Sequence, residues 1–496
     1  MAAKPTAQYR HVIFPTRDQR ERFAGSRQIP KVRRSGPDSS KMIRAIQRRP
    51  SPWAPLALGA WAAAIATAPS LPAKLLLCAP AVAIAVLWWS SQSPVRWLVL
   101  FFGAALLMPP LPIAIGDSGP HPSLIFAALG LLAGVLWAAD WRVESNGLTA
   151  AFAAFLGMLA ISVGPAAIYS GAVAAAGSAV RVLLFGISVY VFFYGAYGPR
   201  RGVDAKRSVQ LLYGASVIAA LFACVDFYYQ FPAPAGYGPQ FVWLDSGVYR
   251  RAQGLFYEAS TLGNFCAFFL VMIAVAFTRP RAEVPVSRQW LVMGGAVFFT
   301  ALVLSYSRGS LVNVAVSLAV LMWTNRRRVP VTKVALAVAA GALATWWIFP
   351  AFAQVYWTRL TASTEFLFTA TNGVLSGRLT SWGTLGDWIA ANPWQAFFGI
   401  GYKTLPYTQF LGSPVVADNM YLSLLVETGV AGLAAVIWLN VAILRAAARS
   451  ARTSFFGVWM LCFWAGQAVQ MASGDLLTYW RVLPVYFWVL ALAVRS

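Results

Sequence analysis

The residues best suited to chemistry are arginines and acidic residues that interrupt long apolar runs. Arg308 lies in a tight polar turn, and Arg378 opens a Trp-rich stretch that leads to Asp418 and Asn419. Guanidinium groups bind phosphate oxygens bidentately and keep their charge in a partly dry groove. A carboxylate beside them can take a proton from a hydroxyl nucleophile. These residue types indicate transfer chemistry on a phosphorylated or diphosphorylated substrate, with Asp418 as the predicted base.

The composition is that of a polytopic membrane protein. Hydrophobic residues make up 59% of the 496 positions, charged residues only 11%, and the mean hydropathy is +0.63. Soluble globular domains do not reach these values. The apolar runs have the length of spanning helices, so we expect an all-α fold. Much of the net charge of +23 sits in short connections that set orientation in the membrane, and nucleic acid is therefore not an expected partner.

Neither a metal nor another cofactor is expected. The four cysteines each fall inside an apolar run and lack the CxxC spacing of a metal site. The two histidines, His11 and His121, are too few for a His-based metal site.

Proline, glycine and arginine punctuation divides the chain into about 12–14 spanning helices. Residues 1–52 are expected to form a basic, disordered cytoplasmic tail, and residues 53–352 the N-terminal part of the transmembrane domain. Residues 353–417 are expected to form a long outward loop with short amphipathic helices, one of them running from Arg378 to Ala391. Residues 418–496 complete the transmembrane domain. Both termini would then face the cytoplasm.

With this orientation, 30 of the 39 basic residues face the cytoplasm, as the positive-inside rule requires. The nine exceptions need another explanation, because orientation does not call for them. They are Lys74, Arg181, Arg250, Arg251, Arg308, Arg359, Arg378, Lys403 and Arg481. An intramembrane or interfacial cation without an orienting role indicates a ligand, a cavity or an internal partner.

We assign roles to the exceptions and to the outward carboxylates as predictions. Arg308 and Arg378 are expected to act in catalysis beside Asp418. The predicted diphosphate ligands are Arg181, Arg250, Arg251, Arg308 and Arg378. The predicted supporting residues are Glu258, Asn419, Glu427, Lys403 and Arg481.

Structural alternatives stay open for several of these residues. Arg308 could instead stabilise the C-terminal dipole of the preceding helix, and Asp418 could be a helix N-cap. Arg250 and Arg251 could snorkel at the interface. Glu427 could be a buried packing partner for an arginine.

The order of the motifs is similar to that of the O-antigen ligase and O-antigen polymerase family of bacterial envelopes, over roughly residues 170–440. It consists of a basic pair before Gly254 and Phe256, Ser-Arg-Gly at 307–309, Ser-Gly-Arg at 376–378 with Trp382, Gly-Ile-Gly at 399–401, Asp-Asn at 418–419, and Glu427 before Gly429. The resemblance implies an all-helical, glycosyltransferase C-like membrane enzyme in the bacterial inner membrane. Such an enzyme works without metal at the periplasmic leaflet and inverts the anomeric carbon.

The resemblance also implies the partners, which are an undecaprenyl-diphosphate-linked oligosaccharide, an acceptor glycan or glycolipid, and membrane lipid. Two departures from the ligase pattern matter. Asp418 stands where ligases have a histidine, and residues 430–432 are Val-Ala-Gly where typical ligases have a threonine pair. These departures favour a polymerase of O-antigen or exopolysaccharide repeats. The alternatives are an O-antigen ligase acting on lipid A core and, more distantly, a flippase or transporter of the lipid-linked glycan.

Overall fold

The computed structural model describes residues 54–111, 120–199, 204–233, 238, 240–244, 247–324, 341, 343, 345–355, 357–358, 378–408, 411–412 and 415–495. The predicted tail, Arg359 and much of the first half of the predicted outward loop lie outside these residues. The chain divides into two compact units, residues 1–83 and 84–496. In the first, helix α1 (Ala54–Thr67) and the start of α2 (Leu71–Ser91) are joined by a hydrogen bond of 3.0 Å from Trp61 Nε1 to Leu77 O.

The described part of the second unit consists almost wholly of helices. In chain order they are α3 (Arg96–Leu107), α4 (Ser123–Leu136), α5 (Gly147–Ile161), α6 (Val163–Tyr197), α7 (Ala205–Tyr229), α8 (Ala259–Thr278), α9 (Arg288–Leu304), α10 (Arg308–Thr324), α11 (Arg378–Ala391), α12 (Pro393–Phe398), α13 (Met420–Ser450), α14 (Phe455–Gln470) and α15 (Leu483–Arg495). Short 3-10 turns lie at Ala138–Asp140, Met471–Ser473 and Leu476–Thr478.

A small antiparallel hairpin interrupts the helices, with strand β1 (Phe241–Leu244) paired to β2 (Gly247–Arg250) and Phe241 opposite Arg250. The sequence pattern did not predict this hairpin. It did predict the amphipathic helix that begins at Arg378 and ends at Ala391, and the structure has α11 over the same residues.

Within the described residues, five helical stretches are long and apolar enough to cross a membrane. They are Gly147–Tyr197, Ala205–Tyr229, Ala259–Thr278, Met420–Ser450 and Phe455–Ser473. Six shorter apolar helices of 10–17 residues accompany them. The predicted all-α polytopic membrane protein is confirmed, whereas the total of 12–14 spans stays a prediction.

Hydrogen bonds tie the helix termini of the second unit together at two separate ends. At one end, Arg495 Nη1 donates to Gly195 O (2.9 Å) and Arg279 Nη2 donates to Ala451 O (3.1 Å). At the other end, which we call the site end, Ala252 N donates to Leu304 O (3.0 Å) and Tyr421 OH donates to Ala468 O (2.8 Å). The site end thus collects the end of α9 and the start of α13, together with the loops that adjoin them.

A buried network of uncharged polar side chains joins α8, α10, α14 and α15 below the site end. Asn264 Nδ2 donates to Gln467 Oε1 and Gln470 Oε1, both at 2.8 Å, and Tyr486 OH donates to Asn264 Oδ1 at 2.7 Å. Asn313 Nδ2 donates to the same two acceptors at 3.0 and 2.9 Å. Because lipid offers no hydrogen bonds, such contacts favour one arrangement of membrane helices over alternatives.

The loop after α12 is locked into a break in α13. Gly429 has φ 73° and ψ −175°, so the helix is interrupted there. In a continuous helix, the carbonyls of Val426 and Glu427 would accept from residues four positions later. Here Val426 O accepts from Ile400 N (3.1 Å), and Glu427 O accepts from Gly401 N (2.8 Å). The loop backbone thereby replaces the helical partners that the break removes.

We predict that Gly429→Ala destabilises the protein. A Cβ atom at this position would lie 2.2 Å from Phe397 O, and the positive φ alone costs an L-residue about 1–2 kcal/mol. Thermal unfolding in detergent should show a melting temperature lowered by several degrees. The control is Gly386→Ala in α11, where a Cβ would have no neighbour within 4 Å, and it should unfold at or above the wild-type temperature. Equal melting temperatures for the two variants would contradict the role given to the break.

Candidate functional site

Seven of the nine orientation-breaking cations lie at the site end of the second unit. They are Arg181, Arg250, Arg251, Arg308, Arg378, Lys403 and Arg481. Of the other two, Lys74 belongs to the first unit and Arg359 lies outside the described residues. The structure therefore brings together, at one end of the bundle, the cations that the sequence singled out.

Arg378 and Asp418 form an ion pair at this end. Arg378 Nε lies 3.2 Å from Asp418 Oδ2, and both side chains are partly exposed to solvent. Trp382 lies one turn into α11, and its Nε1 donates to the carbonyl of Ala417, the residue before Asp418, at 2.6 Å. The pair joins the start of α11 to the start of α13, and solvent access leaves it open to a ligand.

Asp418 is not the N-cap of α13. That role belongs to Asn419, whose side-chain oxygen accepts from Tyr421 N and Leu422 N at 3.1 Å each. Asp418 instead adopts a left-handed conformation with φ 46°, one residue before the cap. The capping alternative is therefore wrong, and the carboxylate of Asp418 is available to Arg378.

The turn that carries Arg308 lies next to Arg251. Arg308 is the first residue of α10 and is half-buried. Arg251 Nε donates to Ser305 O at 2.7 Å, so Arg251 supplies a cation at the C-terminal end of α9. Ser307 and Ser310 are buried and joined by an Oγ to Oγ hydrogen bond of 2.7 Å. The two arginines thus share one short polar surface.

Arg250 is engaged inside the protein. Its Nη2 lies 2.6 Å from Asp226 Oδ1 and also donates to Phe231 O at 2.6 Å, and both charged side chains are buried. Removal of one partner of such a pair costs about 3–5 kcal/mol, because the other charge is left uncompensated. The pair secures β2 to the end of α7. The sequence does not indicate this pair, because Asp226 lies within an apolar run.

Arg481 also contacts backbone carbonyls, in this case at the C-terminal end of α3. Its Nη2 donates to Ala105 O (2.6 Å) and Met108 O (3.0 Å), and its Nη1 donates to Leu255 O. Its guanidinium also lies 5.5 Å from the centroid of the Phe256 ring. Cations near a helix C-terminus compensate the unpaired carbonyls there. Arg481 therefore connects α3, the loop before α8, and the start of α15.

A buried charged cluster surrounds Lys403 in the loop between α12 and α13. Lys403 Nζ forms an ion pair with Asp475, and Arg181 Nη1 donates to Lys403 O at 3.1 Å. Arg181 Nη2 also donates to Tyr407 OH at 3.0 Å. Glu427, which is 2% exposed, accepts from Leu405 N at 3.3 Å through Oε1. Arg181 and Glu427 together hold the loop backbone at Lys403 and just after it.

The charge state of Lys403 depends on its burial and on the charges around it. Burial lowers the pKa of Lys403 to about 8, and the nearby Arg181 acts in the same direction. The carboxylates of Glu427 and Glu258 act in the opposite direction. Glu258 is half-buried and accepts from Ser260 Oγ at 2.7 Å. The cations and carboxylates of the site end are therefore electrostatically coupled.

Tyr479 is a site residue that sequence reasoning missed. It is buried, and its burial together with the charge of Glu258 raises the pKa of its phenol. The charge of Asp418 acts on this pKa in the same direction and the charge of Arg251 in the opposite direction. Tyrosine and tryptophan are common at membrane interfaces, so the Tyr-Trp pair at 479–480 carries no signal of a site.

Backbone strain is concentrated at the same end. Among the described residues, four that are not glycine have positive φ, namely Gln230, Tyr306, Lys403 and Asp418. Such conformations persist only where the surrounding structure enforces them, and they are enriched at functional sites. All four are predicted site residues or lie beside one: Gln230 Oε1 accepts from Arg250 N at 2.8 Å, and Tyr306 lies two residues before Arg308.

Comparison with known proteins shows which family part of the chain is similar to. None of the curated proteins matches the chain. Residues 293–437 match the family model described as O-Antigen ligase. Arg308, Arg378, Lys403, Asp418 and Glu427 lie within the match, whereas Arg181, Arg250, Arg251, Glu258 and Arg481 lie outside it. Residues 293–437 are thus similar to the O-antigen ligase family, and this match confirms over these residues the resemblance found in the order of the motifs.

Proposed function

We propose that the protein is a periplasmic-face glycosyltransferase that joins an undecaprenyl-diphosphate-linked glycan to a sugar hydroxyl of an acceptor glycan. The observation that carries this proposal is the convergence of Arg251, Arg308 and the Arg378–Asp418 pair at one end of a membrane helix bundle. The other end holds basic connections of the kind that face the cytoplasm, such as Arg279 and Arg288.

The proposed reaction breaks one bond and forms one bond at the anomeric carbon. The acceptor oxygen attacks this carbon from the side opposite the leaving group, and the bond to the diphosphate oxygen breaks with inversion. The acceptor proton passes to the Asp418 carboxylate. The undecaprenyl diphosphate leaves with an additional negative charge, which Arg251, Arg308 and Arg378 stabilise. Because this charge develops in the transition state, fixed cations there lower the barrier.

The arginines contribute unequally to this proposal. Arg250 is committed to Asp226 and Arg481 to helix carbonyls, so we assign both of them to the framework of the site. Arg181 holds the loop at Lys403 and Tyr407, and its charge faces the same cluster. Arg251, Arg308 and Arg378 are each only partly buried, as contact with a lipid headgroup requires.

The acceptor is proposed to be another lipid-linked repeat unit, which makes the protein a polymerase. The supporting observation is Asp418 in place of the family histidine, with its carboxylate paired to Arg378 rather than used as a helix cap. A ligase that transfers the glycan to lipid A core is the alternative. Surface polysaccharide from a deletion strain separates the two. Loss of the long ladder with single units still attached indicates a polymerase, and loss of all attached units indicates a ligase.

The arginine charges can be removed one at a time. We predict that Arg308→Ala and Arg378→Ala each lower kcat about 100-fold or more in a reconstituted assay with lipid-diphosphate-linked glycan, since loss of one fixed transition-state donor has an effect of this size. The matched control is Arg288→Ala, because Arg288 also begins a helix but lies at the opposite end. It should stay within about twofold of wild type. Near-normal turnover of both site-end variants would contradict the proposal, as would movement of the glycan without elongation, which indicates a transporter.

The role of Asp418 is tested by two substitutions that differ in basicity. Asp418→Asn should lower kcat about 100-fold, because an amide cannot take the proton. Asp418→His should retain activity. As the pH is lowered, however, the activity of this variant should fall at a higher pH than that of the wild type. The reason is that an imidazole must be deprotonated to act as a base and does so at higher pH than a carboxylic acid. Full activity of the asparagine variant would exclude Asp418 as the base.

A further inference from the structure

The ion pair between Lys403 and Asp475 connects two parts of the site that come from distant sequence. Lys403 lies in the loop between α12 and α13, which leads to Asp418. Asp475 lies in the segment between α14 and α15, residues 471–482, which we call the connecting segment. Both charged side chains are largely removed from solvent.

The connecting segment forms the wall against which Arg308 is placed. A Cβ atom at Gly309 would lie 3.2 Å from Ser473 Oγ, so the turn after Arg308 packs directly on this segment. Tyr479, six residues further, lies near Glu258 and Arg251. A displacement of the connecting segment would therefore shift the surface that carries Arg251 and Arg308.

The loop that carries Lys403 is the other side of the site. Its start is fixed to α13 by Ile400 and Gly401, and its end leads to Asp418 and the Arg378 pair. Lys403 itself has φ 59°, a conformation that non-glycine residues rarely adopt. The loop backbone is therefore strained at Lys403, whose side chain reaches Asp475.

We infer that Lys403 and Asp475 are a positioning pair, which sets the distance between the base Asp418 on the loop and the diphosphate-binding residues Arg251 and Arg308 on the opposite wall. The inference rests on the proposed function, since it assigns the pair a role in that reaction. Neither residue is proposed to contact the reacting atoms. A buried ion pair adds little net stability compared with apolar packing, but its geometry is well defined. This property suits a spacer between two reactive groups better than an anchor for the fold.

Removal of the pair need not unfold the loop. Arg181 still binds the carbonyl of Lys403, and Glu427 still accepts from Leu405 N, when the Lys403 side chain is replaced. Asp475 Oδ1 accepts from Leu477 N at 3.2 Å at the start of a 3-10 turn, and an asparagine can keep this bond. Lys403→Met and Asp475→Asn are therefore suitable substitutions.

The test measures kcat and KM for the lipid-linked donor in reconstituted full-length protein. We expect Lys403→Met and Asp475→Asn each to lower kcat about tenfold or more, because misplacement by about 1 Å can have such an effect on a reaction. The KM for the donor should change less than about threefold. The double variant should be no worse than the poorer single variant, since both substitutions remove the same interaction. Lys403→Arg, which keeps the charge, should recover most of the activity.

Controls separate positioning from loss of fold. Glu283→Gln removes the carboxylate of the Arg279–Glu283 ion pair at the opposite end and should leave kcat unchanged. Melting temperatures and the folded fraction are measured for every variant. The inference is overturned if the two single variants keep wild-type kcat, if their losses multiply in the double variant, or if activity only follows the folded fraction.

Arg308→Ala, measured in parallel, distinguishes failure of the positioning pair from failure of the proposed function. If it is inactive while Lys403→Met and Asp475→Asn are fully active, only the positioning pair is wrong. If Arg308→Ala is also fully active, the proposed function itself fails.

Discussion

A cation at the end of a membrane helix bundle must be compensated by a carboxylate, by backbone carbonyls or by a ligand, because low-dielectric surroundings penalise isolated charge. The site end of this protein holds seven such cations, and this constraint organises it. Arg250 is compensated by Asp226, and Arg481 by the carbonyls of α3. The same constraint binds Lys403 to Asp475. The arginines proposed to bind the diphosphate, Arg251, Arg308 and Arg378, are only partly buried, so a ligand can approach them from solvent.

The broken helix α13 gives this arrangement its rigidity. The break at Gly429 leaves the carbonyls of Val426 and Glu427 without helical donors. The backbone N–H groups of Ile400 and Gly401 donate to them instead, which fixes the loop beside Glu427. Further along the loop, Lys403 contacts Asp475 in the connecting segment, and the loop then leads through Asp418 to α13. The two glycine motifs, at 399–401 and at 429, thus pack directly against each other although they are distant in sequence. Catalytic preorganisation requires such support, because a reactive geometry loosened by about 1 Å loses much of its rate.

Much of this could be predicted from the sequence, and the reason is physical. Hydropathy predicts the helical membrane fold because lipid leaves few alternatives, and the positive-inside rule isolates unusual cations because it accounts for the ordinary ones. The spacing of Leu379, Trp382, Leu385 and Trp388 predicted α11 with its observed ends. The partners of the cations could not be predicted in this way. Asp226 and Asp475 pair with Arg250 and Lys403 through tertiary contacts, and sequence distance carries no information on such contacts.

The proposed function requires that the cations near Asp418 bind a lipid diphosphate. The most direct measurement is an experimental structure of the protein in a lipid environment with an undecaprenyl-diphosphate-linked glycan bound. We expect diphosphate oxygens within about 3 Å of guanidinium nitrogens of Arg251, Arg308 or Arg378, with the first sugar facing Asp418. A diphosphate bound at the opposite end, beside Arg279 and Arg288, or held away from all three arginines, would contradict it.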